Sequence, residues 1–272
     1  MTRPALPITP ELAARLEGRP LVLLLDIDGT LAPIAPRPEH AVVPAPTKAV
    51  LSGLAALRDV HVVFVTGRSA TDGRRLVSVD DGWVIGNHGM EIAPPGAVPE
   101  ARAAVAGYAP KISDAVGRMN AIVDERAWSG VLVEDKTYTL SVHYRLADAA
   151  VVPVLIDEVE KVAGALELRL TRGKEVLELR PPIAVDKGTA AVELADLLGA
   201  AHDGASLFSA GDDRTDEDMF RVLRSHQPRA VTVHVGSALL ATEAEFTVAD
   251  PDTMRELLRQ ILALRTSKAA IR

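Results

Sequence analysis

Residues 21–31 read Leu-Val-Leu-Leu-Leu-Asp-Ile-Asp-Gly-Thr-Leu, and no other stretch constrains the fold as strongly. Five apolar residues without alternation describe a strand buried on both faces, the kind found in parallel sheets covered by helices. The run ends on two carboxylates one residue apart, Asp26 and Asp28, followed by Gly29. Three further runs, His61–Val65, Trp83–Ile85 and Ser206–Ser209, are largely apolar in the same way. A fourth, Ala230–Val235, carries Thr232 and His234 on one face. Helical patterns such as Thr47–Leu57 and Lys187–Leu198 separate the runs. Alternating strand and helix predicts a doubly wound, Rossmann-like α/β domain with a parallel sheet. Ligands of such sheets bind beyond the carboxyl ends of the strands. Four of the predicted strands deliver polar or glycine residues there: Asp26 and Asp28, Thr66-Gly67-Arg68, Asn87-His88-Gly89 and Gly211-Asp212-Asp213. One such end needs only a turn to explain it; four together point to a site.

A formal net charge of −7 provides no basic field for nucleic acid or an anionic membrane. The absence of cysteine excludes disulfides and thiolate metal sites, and fits a reducing, cytoplasmic setting. The N-terminal stretch from Met1 to Pro20 has no continuous apolar segment of the kind a secretory signal needs. No apolar run is long enough to span a bilayer.

The middle of the chain has another pattern. Residues Glu100–Arg126 and Ala147–Leu166 have helical periodicity, and alternating strands come after each. Tyr138, Leu140, Val142 and Tyr144 share one strand face; Leu177 and Leu179 share another. The predicted order is helix, hairpin, helix, hairpin, with Thr171-Arg172-Gly173-Lys174 as the second hairpin's turn. The exposed sheet face would carry His143, Arg145, Lys174, Glu178 and Arg180. The expected organisation is an α/β core from residues 1–97 and 182–272, with a smaller α/β cap, residues 98–181, inserted into it. Pro94-Pro95-Gly96 and Pro181-Pro182 would be its hinges or stiff struts.

Asp26-Ile-Asp28-Gly-Thr-Leu, Thr66, Lys187 and Gly211-Asp212-Asp213-Arg-Thr-Asp216 resemble, in this order, the four motifs of the haloacid dehalogenase superfamily of phosphatases. The resemblance implies phosphoryl transfer, in which positioning and charge neutralisation dominate. Asp26 is then the nucleophile, splitting one difficult step into two through an aspartyl-phosphate. Asp28 protonates the leaving sugar oxygen and then activates water. Asp26, the main-chain carbonyl of Asp28 and Asp212 hold Mg²⁺, which favours few carboxylates and octahedral oxygen ligands. Thr66 binds a phosphoryl oxygen, Lys187 pairs with Asp26 and phosphate, and Gly29 allows the tight turn. Asp213 and Asp216 are open: one orients Lys187 or a metal-bound water, or both are acids favoured at a helix start.

Within that superfamily the chain is similar to the trehalose-6-phosphate phosphatase family. The similarity rests on "DGTLAPIAPRPEHAVVP", "GNHGMEI", "VEDKTYTLSVHYR" and "GKEVLELRP", spread from about Leu21 to Pro251. It implies hydrolysis of trehalose 6-phosphate, supplied by a trehalose-6-phosphate synthase that is also a candidate partner. The implied substrate-binding residues are Gly67, Arg68, His88, Glu134, Lys136, His143, Arg145, Lys174, Glu178 and Arg180. Charged groups making fork-like hydrogen bonds suit a hydroxyl-rich disaccharide. For each alone, a solvated strand face with cross-strand ion pairs is the competing reading. Two alternatives stand beside this one: another sugar phosphate under the same type of cap, such as sucrose 6-phosphate or mannosyl-3-phosphoglycerate, and a sugar-phosphate-binding module without turnover.

Overall fold

All five residues of the strand β1 (Leu21–Leu25) are buried. Leu21, Leu23 and Leu25 point into one apolar layer, and Val22 and Leu24 into another on the opposite face. A strand that feeds two layers has no solvent face, so its sequence cannot alternate.

A computed structural model of the chain describes residues 6–236 and 242–269. The N-terminal stretch considered for a signal segment therefore begins outside the described residues. In chain order the first part contains α1 (Pro10–Leu16), β1, α2 (Ala45–Ala55), β2 (Val60–Val65), α3 (Ala70–Val77), β3 (Trp83–Gly86), β4 (Glu91–Ala93) and β5 (Glu100–Ala101). Next come α4 (Ala103–Ala106), α5 (Ala109–Glu125), β6 (Leu132–Asp135), β7 (Leu140–His143), α6 (Val152–Leu166), β8 (Arg169–Gly173) and β9 (Val176–Arg180). The last part holds α7 (Lys187–Leu197), β10 (Ser206–Gly211), α8 (Arg214–His226), β11 (Val231–Val235), β12 (Phe246–Val248) and α9 (Pro251–Ala269). These elements divide into two compact units, one from residues up to Glu100 and from Val185 onward, the other spanning Ala101–Ala184.

The first unit is built on a sheet of order β12-β11-β10-β1-β2-β3-β4-β5. The pairings from β12 to β3 are parallel. β4 runs antiparallel to β3 because only a short loop joins them. From β1 the chain moves to β2 and β3 on one side, and β10, β11 and β12 lie on the other. The order reverses at β1 and β10, the place where such sheets leave a crevice for ligand. Leu51, Leu54, Leu257, Leu258 and Ile261 cover one face; Ala190, Leu194, Met219, Phe220 and Leu223 cover the other. Thr232 and His234 are buried because β11 is interior, between β10 and β12. The Oγ1 of Thr232 accepts from the amide of Glu245 at 3.0 Å.

In the second unit a four-stranded antiparallel sheet has the order β6-β7-β9-β8. Leu140, Val142, Leu177 and Leu179 pack with Ile112, Ala115 and Met119 of α5 and with Leu155 and Val159 of α6. In the adjacent registers Glu134, Ser141, Glu178 and Thr171 form a row across the sheet. Strand alternation places that row on the face away from these leucines.

Three local expectations change. Glu100–Arg126 is not one helix: β5, α4 and α5 share it. Pro110, in the first turn of α5, has no N–H, and its ring crowds a helix continuing through it. Helix α6 begins at Val152, where Pro153 fits the first turn, rather than at Ala147. The second hairpin turns at Lys174-Glu175, with Glu175 left-handed at φ 61°, and Thr171–Gly173 belong to β8. Lys174 therefore occupies an exposed turn and not the strand face. Among the described residues no helix is long and apolar enough to cross a membrane.

Candidate active site

Asp26 comes directly after β1, and its amide donates to the carbonyl of Ala210 in β10, so the β1–β10 pairing extends to it. Its carboxylate is buried and accepts from Lys187 Nζ at 2.7 Å. Lys187 opens α7, whose start is set by a capping box between Asp186 and Thr189. The same Nζ donates to Asp216 Oδ1 at 2.9 Å. Asp216 Oδ2 accepts from the amides of Asp212 and Asp213 at 3.0 and 3.1 Å. Asp213 caps α8, accepting from the amides of Thr215 and Asp216. Of the two residues left open by the sequence, Asp216 holds Lys187 and the β10 loop, and Asp213 starts the helix.

One carboxylate oxygen from each of Asp26, Asp212 and Asp216 lies within 4.8 Å of the others. Both oxygens of Asp216 are already engaged, which leaves Asp26 and Asp212 as the outward donors. Burial is the largest influence on Asp26 and raises its pKa; Lys187 opposes this, Asp212 and Asp213 reinforce it, and the result is about 7. Burial likewise raises Asp212, with Asp216 and Asp213 adding to it against Lys187, to about 8. Burial works against Lys187's charge, but Asp216, Asp26 and Asp213 outweigh it and hold its pKa well above the usual value. Burial also opposes ionisation of Asp213, yet Lys187 and the hydrogen bonds from Thr215 and Asp216 hold it well below the usual carboxylate range. One ammonium among clustered carboxylates leaves surplus negative charge, and the donors are hard oxygens. That environment fits a small divalent cation such as Mg²⁺.

Asp28 lies two residues on, its carboxylate gripped by Arg68: Nε donates to Oδ2 at 2.7 Å and Nη2 to Oδ1 at 2.8 Å. Gly29, with φ 90°, turns the chain here, and a side chain at that position would collide with the Asp212 carboxylate. Thr66 directly follows β2, buried, and its Oγ1 accepts from the amide of Arg68 at 3.1 Å. Beyond β3, Asn87 and His88 are both left-handed, at φ 47° and 54°. This costs about 1–2 kcal/mol per non-glycine residue and persists only where surroundings enforce it. Here the amides of Asn87 and His88 donate to the carbonyls of Arg68 and Thr66, at 2.6 and 3.0 Å. Glu91 Oε2 accepts from Asn87 Nδ2 at 2.6 Å and from the amide of Ala70 at 2.9 Å. His88 consequently lies against Gly67, where a β-carbon would come within 2.5 Å of its Nε2. Asp26, Asp28, Thr66, Gly67, Arg68, His88, Lys187 and Asp212 are thus assembled at one edge of the first unit's sheet.

The second unit carries the other seven. Glu178 is buried at the centre of its polar row, and Lys136 Nζ and Ser141 Oγ both donate to its Oε1 at 3.4 Å. Arg180 pairs with its other oxygen. Glu134 Oε2 lies 2.7 Å from His143 Nε2. Arg145, past the end of β7, donates to Glu175 at 2.7 Å. Lys174 stands apart in the exposed turn.

The profile of the trehalose-phosphatase family matches residues 24–252. The chain belongs to that family. A probable trehalose-phosphate phosphatase of rice, Oryza sativa subsp. japonica, is 32% identical over 93% of this chain and 68% of its own length. A Mycobacterium tuberculosis protein named as an uncharacterized glycosyl hydrolase is 35% identical over 94% of this chain, which spans only 19% of that protein. The crystal structure of a trehalose-6-phosphate phosphatase related protein, 28% identical, superposes with a TM-score of 0.79 over 91% of this chain and 99% of that one.

Some participants in the site were not singled out from the sequence. Asp72, four residues after Arg68, accepts from its Nη1 at 2.6 Å, and the carbonyl of Pro38 accepts from Nη2 at 3.0 Å. The spacing of Arg68 and Asp72 suits an i,i+4 pair at a helix start, which is the one sequence cue available. The carbonyl of Pro38 could not be anticipated, since it comes from a loop remote in sequence. The link from Glu91 to Asn87 likewise depends on a left-handed turn that the residue types alone do not announce.

Proposed function

We propose that this chain is a Mg²⁺-dependent trehalose-6-phosphate phosphatase of the cytoplasm, releasing trehalose and phosphate. The observation that carries the reading is the buried Asp26–Lys187–Asp216 arrangement at the switch point of a trehalose-phosphatase-family sheet. Asp26 is an oxygen nucleophile kept in line by Lys187. It attacks phosphorus as the bond from phosphorus to the sugar oxygen breaks, and Asp28 gives that oxygen its proton. Water then attacks the aspartyl-phosphate, Asp28 takes the proton back, and phosphate leaves with Asp26 restored. Lys187 and the hydroxyl of Thr66 bind phosphoryl oxygens as charge redistributes. A Mg²⁺ held by Asp26, Asp212 and the Asp28 carbonyl would offset the repulsion between nucleophile and phosphate. His88 and Gly67 shape the phosphate end of the site.

The second unit is the specificity cap in this reading. Lys136, Glu178 and Arg180 present a satisfied charged network, and Glu134 and His143 a second pair, to sugar hydroxyls. Groups fixed in place by this pairing select a sugar whose hydroxyls match their remaining donors and acceptors, and hydrogen-bonding sites discriminate far better than apolar ones. A synthase joining two glucose units, one as its 6-phosphate, would supply the substrate.

The test is phosphate release from trehalose 6-phosphate, sucrose 6-phosphate and glucose 6-phosphate, with and without Mg²⁺. Metal-dependent release from trehalose 6-phosphate alone is expected. Equal rates on all three would remove the specificity claim. No release, with trehalose 6-phosphate still raising the melting temperature, would turn the reading to a binding module.

A further inference from the structure

Arg68 belongs to the group expected to bind substrate, yet its guanidinium has other partners. Nε and Nη2 grip both oxygens of Asp28, Nη1 donates to Asp72, and Nη2 also reaches the carbonyl of Pro38. Four of the fork's five N–H groups are accounted for by these bonds. Exposure points the same way: the Arg68 side chain is 8% accessible, that of Asp28 34%. A ligand approaching this edge meets the carboxylate first, with the cation behind it. The backbone of Arg68 is fixed as well, its amide donating to Thr66 Oγ1 and its carbonyl accepting from Asn87. Asp72 is itself held, by the cap of Ser69 on its amide and by Arg75 on its second oxygen.

We infer that Arg68 is a positioning residue and not a substrate ligand: the chain Asp72–Arg68–Asp28 aims the Asp28 carboxyl group at the leaving oxygen. The inference rests on the phosphatase reading. It adds that the aim of the proton donor is fixed from α3, outside the phosphate site. A bidentate fork fixes a carboxylate in both direction and plane, which a lysine's point charge cannot do.

The leaving group separates this role from the alternatives. A sugar alcohol must be protonated as it departs; p-nitrophenolate need not be. Arg68→Met, Arg68→Lys, Asp72→Asn and Asp28→Asn are compared with the unmutated protein on two esters. The readouts are kcat and KM for trehalose 6-phosphate, and the rate of the p-nitrophenol burst from p-nitrophenyl phosphate. Arg68→Met is expected to lower kcat on the sugar ester by roughly 10²-fold, the usual worth of a positioned proton donor. Its KM should change by less than about threefold, and the burst rate by less than about fivefold. Arg68→Lys should recover part of the loss, and Asp72→Asn should show a weaker form of the same pattern. Adding Arg68→Met to Asp28→Asn should cost less than about twofold more, because the two act as one unit. A raised KM with kcat kept, or equal losses on both esters, would overturn the inference and make Arg68 a phosphate ligand or a general structural support. Asp72→Asn and Arg68→Lys keep the test open if Arg68→Met does not fold. An unmutated protein that turns over neither ester overturns the phosphatase reading, and this inference with it. One that turns over both, with variants that do not discriminate between them, overturns this inference alone.

Discussion

Replacing Lys187 with methionine keeps the unbranched stem, shorter by one atom, and removes the charge. The residue is 3% exposed and touches the carboxylates of Asp26 and Asp216, both buried. Removing one partner of a buried ion pair costs about 3–5 kcal/mol, because the other charge is left without compensation. In metal-free protein the two acids can avoid part of this by keeping their protons. Asp26 already stands at about 7 beside Lys187 and rises further without it. Its folded pKa then lies far above the unfolded value of about 3.9, so the folded state binds more protons than the unfolded one. Stability from such a group is present below the unfolded pKa and is lost as pH rises toward the folded pKa. The parent and variant therefore diverge above about pH 7, by up to about 1.4 kcal/mol per pH unit for each proton retained. Urea unfolding in EDTA at about pH 6 and pH 8.5 reads this directly. Lys187→Met should lose about 3–5 kcal/mol at the higher pH and at least about 1 kcal/mol less at the lower. A loss below about 1 kcal/mol at both would show that Lys187 does not neutralise this cluster.

The same geometry has other consequences. Mg²⁺ must displace protons from Asp26 and Asp212, whose pKa values are about 7 and 8, so binding tightens with pH. Isothermal titration should show roughly a ten- to hundredfold gain per pH unit between about 6 and 8, because each displaced proton contributes up to tenfold, and a pH-independent affinity would contradict the cluster as ligand. Gly86→Ala places a β-carbon against the backbone nitrogen and Cα of Ala70, which cannot swing aside. A loss of about 1–3 kcal/mol is expected in thermal unfolding, and a neutral result would mean the β3–α3 contact is looser than described. Glu178→Gln retains the shape at the centre of the polar row but removes the charge facing Lys136 and Arg180. Its kcat/KM on trehalose 6-phosphate should fall about tenfold while p-nitrophenyl phosphate turnover holds; equal losses would remove the row from sugar recognition.

The core was legible because its signals are local and agree with each other. An unbroken apolar run such as Leu21–Leu25 has one easy home, a strand buried on two sides, and the residues just past the carboxyl ends of parallel strands fall on a single edge. The order of the strands brings Lys187 to Asp26 across 161 positions of sequence, and only the resemblance to known phosphatases anticipated that pairing. The helices of the second unit were less legible, because Pro110 and Pro153 set boundaries that apolar periodicity overruns. The turn at Lys174-Glu175 is hard to place from sequence because the neighbouring Gly173 is the stronger turn signal, whereas the left-handed residue is Glu175. The partners of Arg68 were hidden for a simpler reason: side chains that meet across loops leave no periodic trace. The sequence marks which edge carries chemistry; which charge is behind which becomes visible only in the fold.

In the proposed mechanism Asp26 attacks phosphorus. Its most direct test is to mix the protein with trehalose 6-phosphate and Mg²⁺, quench in acid within one turnover, and weigh the peptide containing Leu21–Leu31. This peptide should gain the mass of one phosphoryl group, placed on Asp26 by fragmentation and absent in Asp26→Asn. Steady release of phosphate with no labelled peptide at any quench time, or turnover that survives Asp26→Asn, would contradict it.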